Sequence, residues 1–309
     1  MSSTLWRLTT LAAALSLTAS SQDGAGTVFH SDTRVVVCNT TVVDHTGHFV
    51  TNLPQTAFAV FENNVKQQIQ TFRREDVPVS LGLIIDNSAS MKSKRASVEA
   101  AALALVKESN PQDEVFIVNF NDEVYLDNPH NKPFTSDIEE MKEALTRIDA
   151  RGGTAMRDAV QISLDHLKQY SKRDKKVLVI VTDGVENSSS LSPSLDDLLR
   201  RARQSGALIY AVGLLSEETS KDASAAKHQL NALAEATGGE TFYPKDVSAV
   251  ESIAHAVARD IRSQYTIVYS PSNANMDGTF RRIKVTVHAP GSPTPRTRSG
   301  YYAAPDKTN

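Results

Sequence analysis

Cysteine is nearly missing: Cys38 is the single one in 309 residues, so no disulfide can form within the chain and packing must hold it together. A surplus of one charge is missing too. Lys and Arg number 33 against 36 Asp and Glu, with no long run of like charge, so the chain carries no footprint for nucleic acid. Gly and Pro are sparse at 14 and 12, which excludes collagen-like and low-complexity architectures. No stretch approaches the roughly 20 apolar residues of a membrane-spanning helix. What is present is a 40% apolar fraction, enough to build the core of one large or two ordinary soluble domains.

The first residues read as an address. Arg7 precedes the apolar stretch Leu8–Leu17, and the small residues Thr18-Ala19-Ser20-Ser21 follow. A charged start, a short apolar core and a small-residue cleavage site predict a signal peptide over 1–21. The protein is then exported, periplasmic or secreted, with a mature chain starting near Gln22. Uncleaved, the same segment would act as a weak membrane anchor.

Two changes of rhythm divide the rest. Residues 27–76 carry short β-type runs at Arg34–Val43, Phe58–Phe61 and Gln67–Phe72, with turns at Asp44–Gly47 and Glu62–Asn64. From 79 to 264, apolar strands alternate with amphipathic helices. The strands are expected at Val79–Asp86, Glu114–Phe120, Lys175–Asp183 and Ala207–Leu215. The helices are expected at Ser93–Glu108, Ser136–Ile148, Ala155–Tyr170, Pro193–Gln204, Ala225–Ala236 and Val247–Arg262. Runs such as Val177-Leu-Val-Ile-Val181 are apolar throughout, as a parallel strand covered on both faces requires. This predicts an α/β fold with a doubly wound, mostly parallel sheet. The β rhythm returns over 265–302, in Tyr265–Tyr269, Phe280–Val287 and Arg298–Tyr302, and the tail 303–309 is expected to be disordered. Neither flank has strands enough to hide its apolar face, so the two are expected to join in a small β-sandwich into which the α/β unit is inserted. Loss of Thr279–Tyr302 is then expected to expose Val35, Val37 and Phe61.

The residues that carry chemistry lie where strands end. The strand Leu81-Gly-Leu-Ile-Ile85 runs into Asp86-Asn87-Ser88-Ala89-Ser90, an Asp-x-Ser-x-Ser loop that opens a helix. Ligands of open α/β sheets bind at the carboxyl ends of strands, which places these hydroxyls in the expected crevice. Arg151-Gly-Gly-Thr154 precedes another helix, and Thr182-Asp183-Gly184 ends another strand. The three loops together offer two carboxylates and three hydroxyls without Cys or His, an all-oxygen set suited to a hard cation such as Mg²⁺.

With these loops in that order the chain resembles the von Willebrand factor type A domains. Their metal-ion-dependent adhesion site is matched by Asp86, Ser88, Ser90, Thr154 and Asp183. The resemblance implies a VWA, Rossmann-like domain over 79–264 binding Mg²⁺ or Mn²⁺. Ser88 and Ser90 would bind directly, Thr154 when ligand is present, and Asp86 and Asp183 largely through water. The stretches Asp44–Leu53, Phe58–Asn64 and Arg262–Tyr265, with the ending Arg298–Tyr302, resemble bacterial exported VWFA-related proteins. The implied function is non-enzymatic: an exported adhesion module whose cation captures an Asp or Glu carboxylate of a protein partner. A metal-dependent hydrolase and an assembly or chaperone factor working with an ATPase are the alternatives.

Other motifs read more simply. His45 and His48 fall short of the four ligands zinc demands and read as solvated turn residues. Gly152-Gly153 lacks the Lys of a phosphate loop and reads as backbone freedom beside Thr154. Ser224-Ala-Ala-Lys227 lacks the companion motifs of penicillin-binding enzymes and reads as a helix N-cap.

Overall fold

The structure, a computed structural model, describes residues 35–303 apart from 75, 109, 148, 149 and 192. The expected signal peptide at 1–21, the start of the first flank at 27–34 and residues 304–309 of the expected tail lie outside the described residues.

The first flank supplies β1 (Val36–Val43), β2 (Phe58–Glu62), β3 (Val65–Gln67) and β4 (Ile69–Arg73). The central unit follows with β5 (Val79–Asp86), α1 (Arg95–Lys107), β6 (Glu114–Phe120), β7 (Val124–Leu126), α2 (Ile138–Thr146), α3 (Met156–Tyr170), β8 (Lys175–Thr182), α4 (Leu195–Ser205), β9 (Leu208–Gly213), α5 (Ser220–Thr237), β10 (Thr241–Phe242) and α6 (Val250–Ser263). The second flank adds β11 (Tyr265–Tyr269), β12 (Phe280–Val287), β13 (Thr294–Arg296) and β14 (Gly300–Tyr302).

Among the described residues the central sheet runs β10-β9-β8-β5-β6-β7, and every neighbouring pair is parallel except the edge pair β6–β7. All eight residues of β5 are buried, because helices cover both faces of the sheet. Leu81, Leu83 and Ile85 pack with Val98 and Leu105 of α1, Met141 of α2, and Val250, Val257 and Ile261 of α6. Ile84, Phe116 and Ile180 face the other way, onto Val160 and Leu164 of α3, Leu198 of α4 and Leu230 of α5. Gly82 is required where β5 crosses beneath Phe116: a Cβ there would lie 2.4 Å from the ring.

The flanks pair with each other across the chain. One sheet has the order β13-β1-β11-β4 and the other β14-β12-β2-β3, so each mixes strands from both ends of the sequence. Antiparallel register sets Val36 opposite Tyr269 and Cys38 opposite Ile267 in the first sheet, and Val60 opposite Val285 in the second. Between the sheets lies a third core of Val36, Cys38, Phe58, Val60, Tyr265, Ile267, Ile283 and Val285. A buried polar joint fastens this sandwich to the helical layers. Asp260 of α6 accepts from Thr41 of β1 at 2.5 Å and pairs with Arg296 of β13, while Gln264 donates to Thr41 and to Tyr210 of β9.

Several expectations are corrected. Val35 and Val37 are not covered by 279–302: they are 49% and 41% exposed, and Val36, Cys38 and Val42 point inward instead. In the apolar run Val35-Val-Val-Cys38 no alternation marks a face, and a one-residue change of phase exchanges the two. Phe61 is only partly buried, and its neighbour Val60 holds the core position. The run Gln67–Phe72 is two strands, since β3 and β4 enter different sheets. Ser224 is not an N-cap. Thr219 caps α5, its hydroxyl accepting from the Asp222 amide at 3.2 Å, and Ser224 lies inside the helix. Ala303 is no part of a loose tail: it is buried and exchanges backbone hydrogen bonds with Gly278 and Thr279.

Candidate metal centre

The strand order reverses direction at β5, with β6 added on one side and β8 on the other. In such sheets the crevice opens at the carboxyl ends of the strands flanking the reversal. Asp86 ends β5, and Asp183 directly follows β8 beside it.

The loop after β5 is shaped by Asp86 itself. Its Oδ1 accepts the Ser88 amide at 2.8 Å, which folds the chain back after the strand. Its Oδ2 accepts the Thr182 hydroxyl at 2.5 Å, which ties the ends of β5 and β8 together. The Ser88 and Ser90 hydroxyl oxygens are 3.2 Å apart, and Ser90 donates to Asp183 Oδ1 at 2.7 Å. Four of the five expected residues are thus joined in one chain of contacts. Thr154 is buried and not part of that chain, but it lies beside Gly184, the residue after Asp183, where a Cβ would lie 3.1 Å from its hydroxyl.

Thr154 is held by groups the motif reading passed over. Its amide donates to Asn187 Oδ1 at 2.8 Å, and its carbonyl accepts the amides of Asn187 and Ser188. Gly152 adopts φ +72°, and Asp122 Oδ1 accepts the Gly153 amide at 2.7 Å. A Cβ on Gly153 would fall 2.2 Å from the Ser188 hydroxyl, so glycine serves close approach here as well as backbone freedom.

A buried ammonium adds to the cluster. Lys94 Nζ lies 2.6 Å from Asp183 Oδ2 and 3.0 Å from Glu217 Oε2, and the lysine is 7% exposed. Burial pulls the ammonium pKa down, but hydrogen bonds and charge from Asp183 and Glu217 outweigh it and leave it above the ordinary lysine range. Burial pushes the Asp86 carboxyl up to about 6. Donors on Thr182 and Ser88 oppose that rise, and the neighbouring Asp183 charge adds to it. Two carboxylates forced together out of water create a demand for positive charge, and Lys94 meets part of it. No sequence signal separates Lys94 from Lys92, which is exposed two residues earlier.

The donor set fits a hard cation. All of its atoms are oxygens, three of them neutral hydroxyls. Among the described residues no group of three or more His, Cys, Asp or Glu is placed to hold a metal. His45 and His48, weighed as zinc ligands, lie in the turn built on Asp44: His48 Nδ1 is 2.6 Å from the Thr46 hydroxyl, and His45 is exposed.

Comparison with known proteins places the chain in a family. The profile described as von Willebrand factor type A domain matches residues 81–256, and the chain belongs to that family. Inter-alpha-trypsin inhibitor heavy chain H4 of Bos taurus is 22% identical over 146 residues, which cover 44% of this chain and 16% of that protein. The chain therefore spans under a fifth of the length of that curated relative. A von Willebrand factor type A structure from Catenulispora acidiphila superposes with a TM-score of 0.51 at 14% identity, covering 89% of this chain and 74% of the other. The von Willebrand domain of a type V pili tip protein from Porphyromonas gingivalis gives 0.48 at 14% identity, covering 60% of this chain and 97% of that one. The likenesses to solved structures concern the fold alone. Type A domains are in general non-catalytic modules for protein interaction, and among the described residues no helix is long and apolar enough to cross a membrane.

Proposed function

We propose that this chain is an exported, non-enzymatic adhesion module that holds Mg²⁺ or Mn²⁺ among Asp86, Ser88, Ser90, Thr154 and Asp183 and captures an Asp or Glu side chain of a protein partner. The observation that carries this reading is the continuous contact chain from Asp86 through Ser88 and Ser90 to Asp183, at the strand ends where the sheet reverses. A divalent ion there would supply an electrophile with room for an incoming carboxylate. The chain's own residues prepare for that role. Ser88 and Ser90 present neutral lone pairs, which leave a cation under-neutralised. Asp86 is committed to Thr182 and to the Ser88 amide, and Asp183 to Ser90 and Lys94, so both acids are partly spent before any ion arrives. Export rests on the charged, apolar and small-residue order of the first 21 residues.

Calorimetry of the full chain with Mg²⁺ tests the site. Divalent binding is expected to be weak without a partner and to disappear in Asp86→Ala, with Ser88→Ala weakening it. Unchanged binding in the folded Asp86→Ala protein would remove the assignment.

A further inference from the structure

A second surface lies at the other end of the same strands. Residues just before β5 (Val77, Pro78) and at the start of β8 (Lys175, Lys176) border a groove of about 550 Å³, closed on its far side by β1 and the end of β14. Its lining is strongly cationic, with seven Lys or Arg side chains and one acid, Asp174. This stands out in a chain whose formal charge is −3. Among the described residues, Arg73, Lys172, Arg173, Lys176 and Arg203 have no carboxylate within ion-pair distance. Arg173 spends one guanidinium nitrogen on the Gln112 carbonyl, Arg203 lies over the Phe280 ring at 5.1 Å, and the Nε atoms of both are buried without a hydrogen-bond partner. Cations gathered this closely repel one another and are stabilised by an anion placed between them.

The groove is also apolar along one wall. Val35 and Val37, 49% and 41% exposed, line it from the outward face of the first flank. Aromatic stacking surface is scarce by contrast: Tyr301 is buried, and Arg200 covers the Tyr302 ring at 4.5 Å. Nucleic acids seek stacking platforms beside their phosphate contacts. Valines beside guanidinium and ammonium groups suit an extended polypeptide with alternating acidic and apolar side chains.

We infer that this groove is a second docking site, for an acidic extended segment of a partner protein, and that it works independently of the cation-type crevice. The eight residues of β5 separate the two surfaces by about 25 Å at the usual strand rise, so both can be filled at once. If the proposed cation site also holds a partner, the chain bridges two partners, one through that site and the other through guanidinium and ammonium groups.

Fluorescence anisotropy with a labelled peptide of four Glu-Val repeats and the full chain tests this. Binding should saturate and weaken about tenfold when salt is raised from roughly 0.05 to 0.5 M. The double variant Arg73→Glu, Lys176→Glu, both exposed or half-exposed positions, should weaken it by a further factor of about ten or more while melting as the parent does. Chelator and Asp86→Ala should leave it unchanged, which separates failure here from failure of the cation site. Saturable binding that the double variant retains would overturn the site, as would no binding by the parent. A sulfated oligosaccharide of equal charge that binds more tightly than the peptide, and is lost in the same variant, would overturn the polypeptide occupant.

Discussion

Two lysines, each 7% exposed, stand at opposite ends of the central sheet. Lys94, above the carboxyl ends of the strands, meets Asp183 and Glu217, and their charge keeps its pKa above the ordinary value despite burial. Lys175, at the amino ends, donates to the Ile261 carbonyl at 2.5 Å and has Arg262 nearby. Burial, then that guanidinium, lower its pKa to about 8, against the weaker pull of Asp260, Asp76 and Asp113. Both are shielded from water, but Lys94 has two carboxylates at hydrogen-bond distance and Lys175 donates to a neutral carbonyl, so the acids outweigh burial at the first and burial prevails at the second. The acids around Lys94 hold its charge directly, whereas those nearest Lys175 are engaged by arginines, Asp76 and Asp113 by Arg262 and Asp260 by Arg296.

A third buried cation carries the comparison into the sandwich and gives the largest expected effect. Arg281 is 2% exposed and lies 3.7 Å from Glu62, which also accepts the hydroxyls of Tyr269 and Tyr301 at 2.9 Å. Glu62→Ala removes the acceptor of both tyrosines and an ion-pair partner of Arg281, and should cost about 3–5 kcal/mol in urea unfolding. A midpoint within error of the parent would mean that Asp277, 3.2 Å from Arg281, suffices alone.

Lys94→Met should break the contrast at the acidic end. It strands Asp183, whose carboxylate is 0% exposed, and should destabilise the protein by about 3 kcal/mol in chelator. A divalent ion would then take over the neutralising role, so Mg²⁺ should raise the melting temperature more in the variant than in the parent. An equal rise in both would separate the ammonium from the cation site.

At the basic end the effect appears with pH. The folded-state pKa of Lys175 is about 8, below its unfolded value of 10.5, so between these limits the unfolded chain holds more protons and raising the pH stabilises the fold. The contribution is at most roughly 3 kcal/mol over that window. The buried Cys38 thiol, pushed up to about 12 chiefly by burial, works in the opposite direction above pH 9, so the parent's own pH curve mixes the two. The difference between Lys175→Met and the parent isolates the lysine: the variant's stability relative to the parent should fall as pH rises from 8 to 10.5. A pH-independent difference would show that Lys175 is not depressed.

Much of the architecture was legible before the structure. β5 and β6 fall on the residues their apolar runs mark, because a strand buried on both faces must be apolar throughout, and β11 and β12 fall where apolar residues alternate, as a strand buried on one face requires. The loops with Asp86, Ser88, Ser90 and Asp183 were visible since turn and cap residues act within a few positions of themselves. The short edge strands β7, β10 and β13 left too few residues to form a pattern. Asp122 and Asn187 carried no signal, and Thr182, read only within the loop of Asp183, gave no hint of its bond to Asp86, because what matters about them is the loop each one faces.

The types of the long central elements and the oxygen-rich loops at their ends are properties of neighbouring residues, and the sequence determined them alone. Only the tertiary structure decided which face of β1 turns inward, that Lys94 is buried while Lys92 is exposed, and that Arg73, the 172–176 segment, Arg203 and Arg298 line one groove. Phase within an unbroken apolar run depends on a partner strand more than 220 residues away, as Val36 depends on Tyr269. A net charge sums over positions, while the potential that steers a ligand depends on where folding sets the charges down.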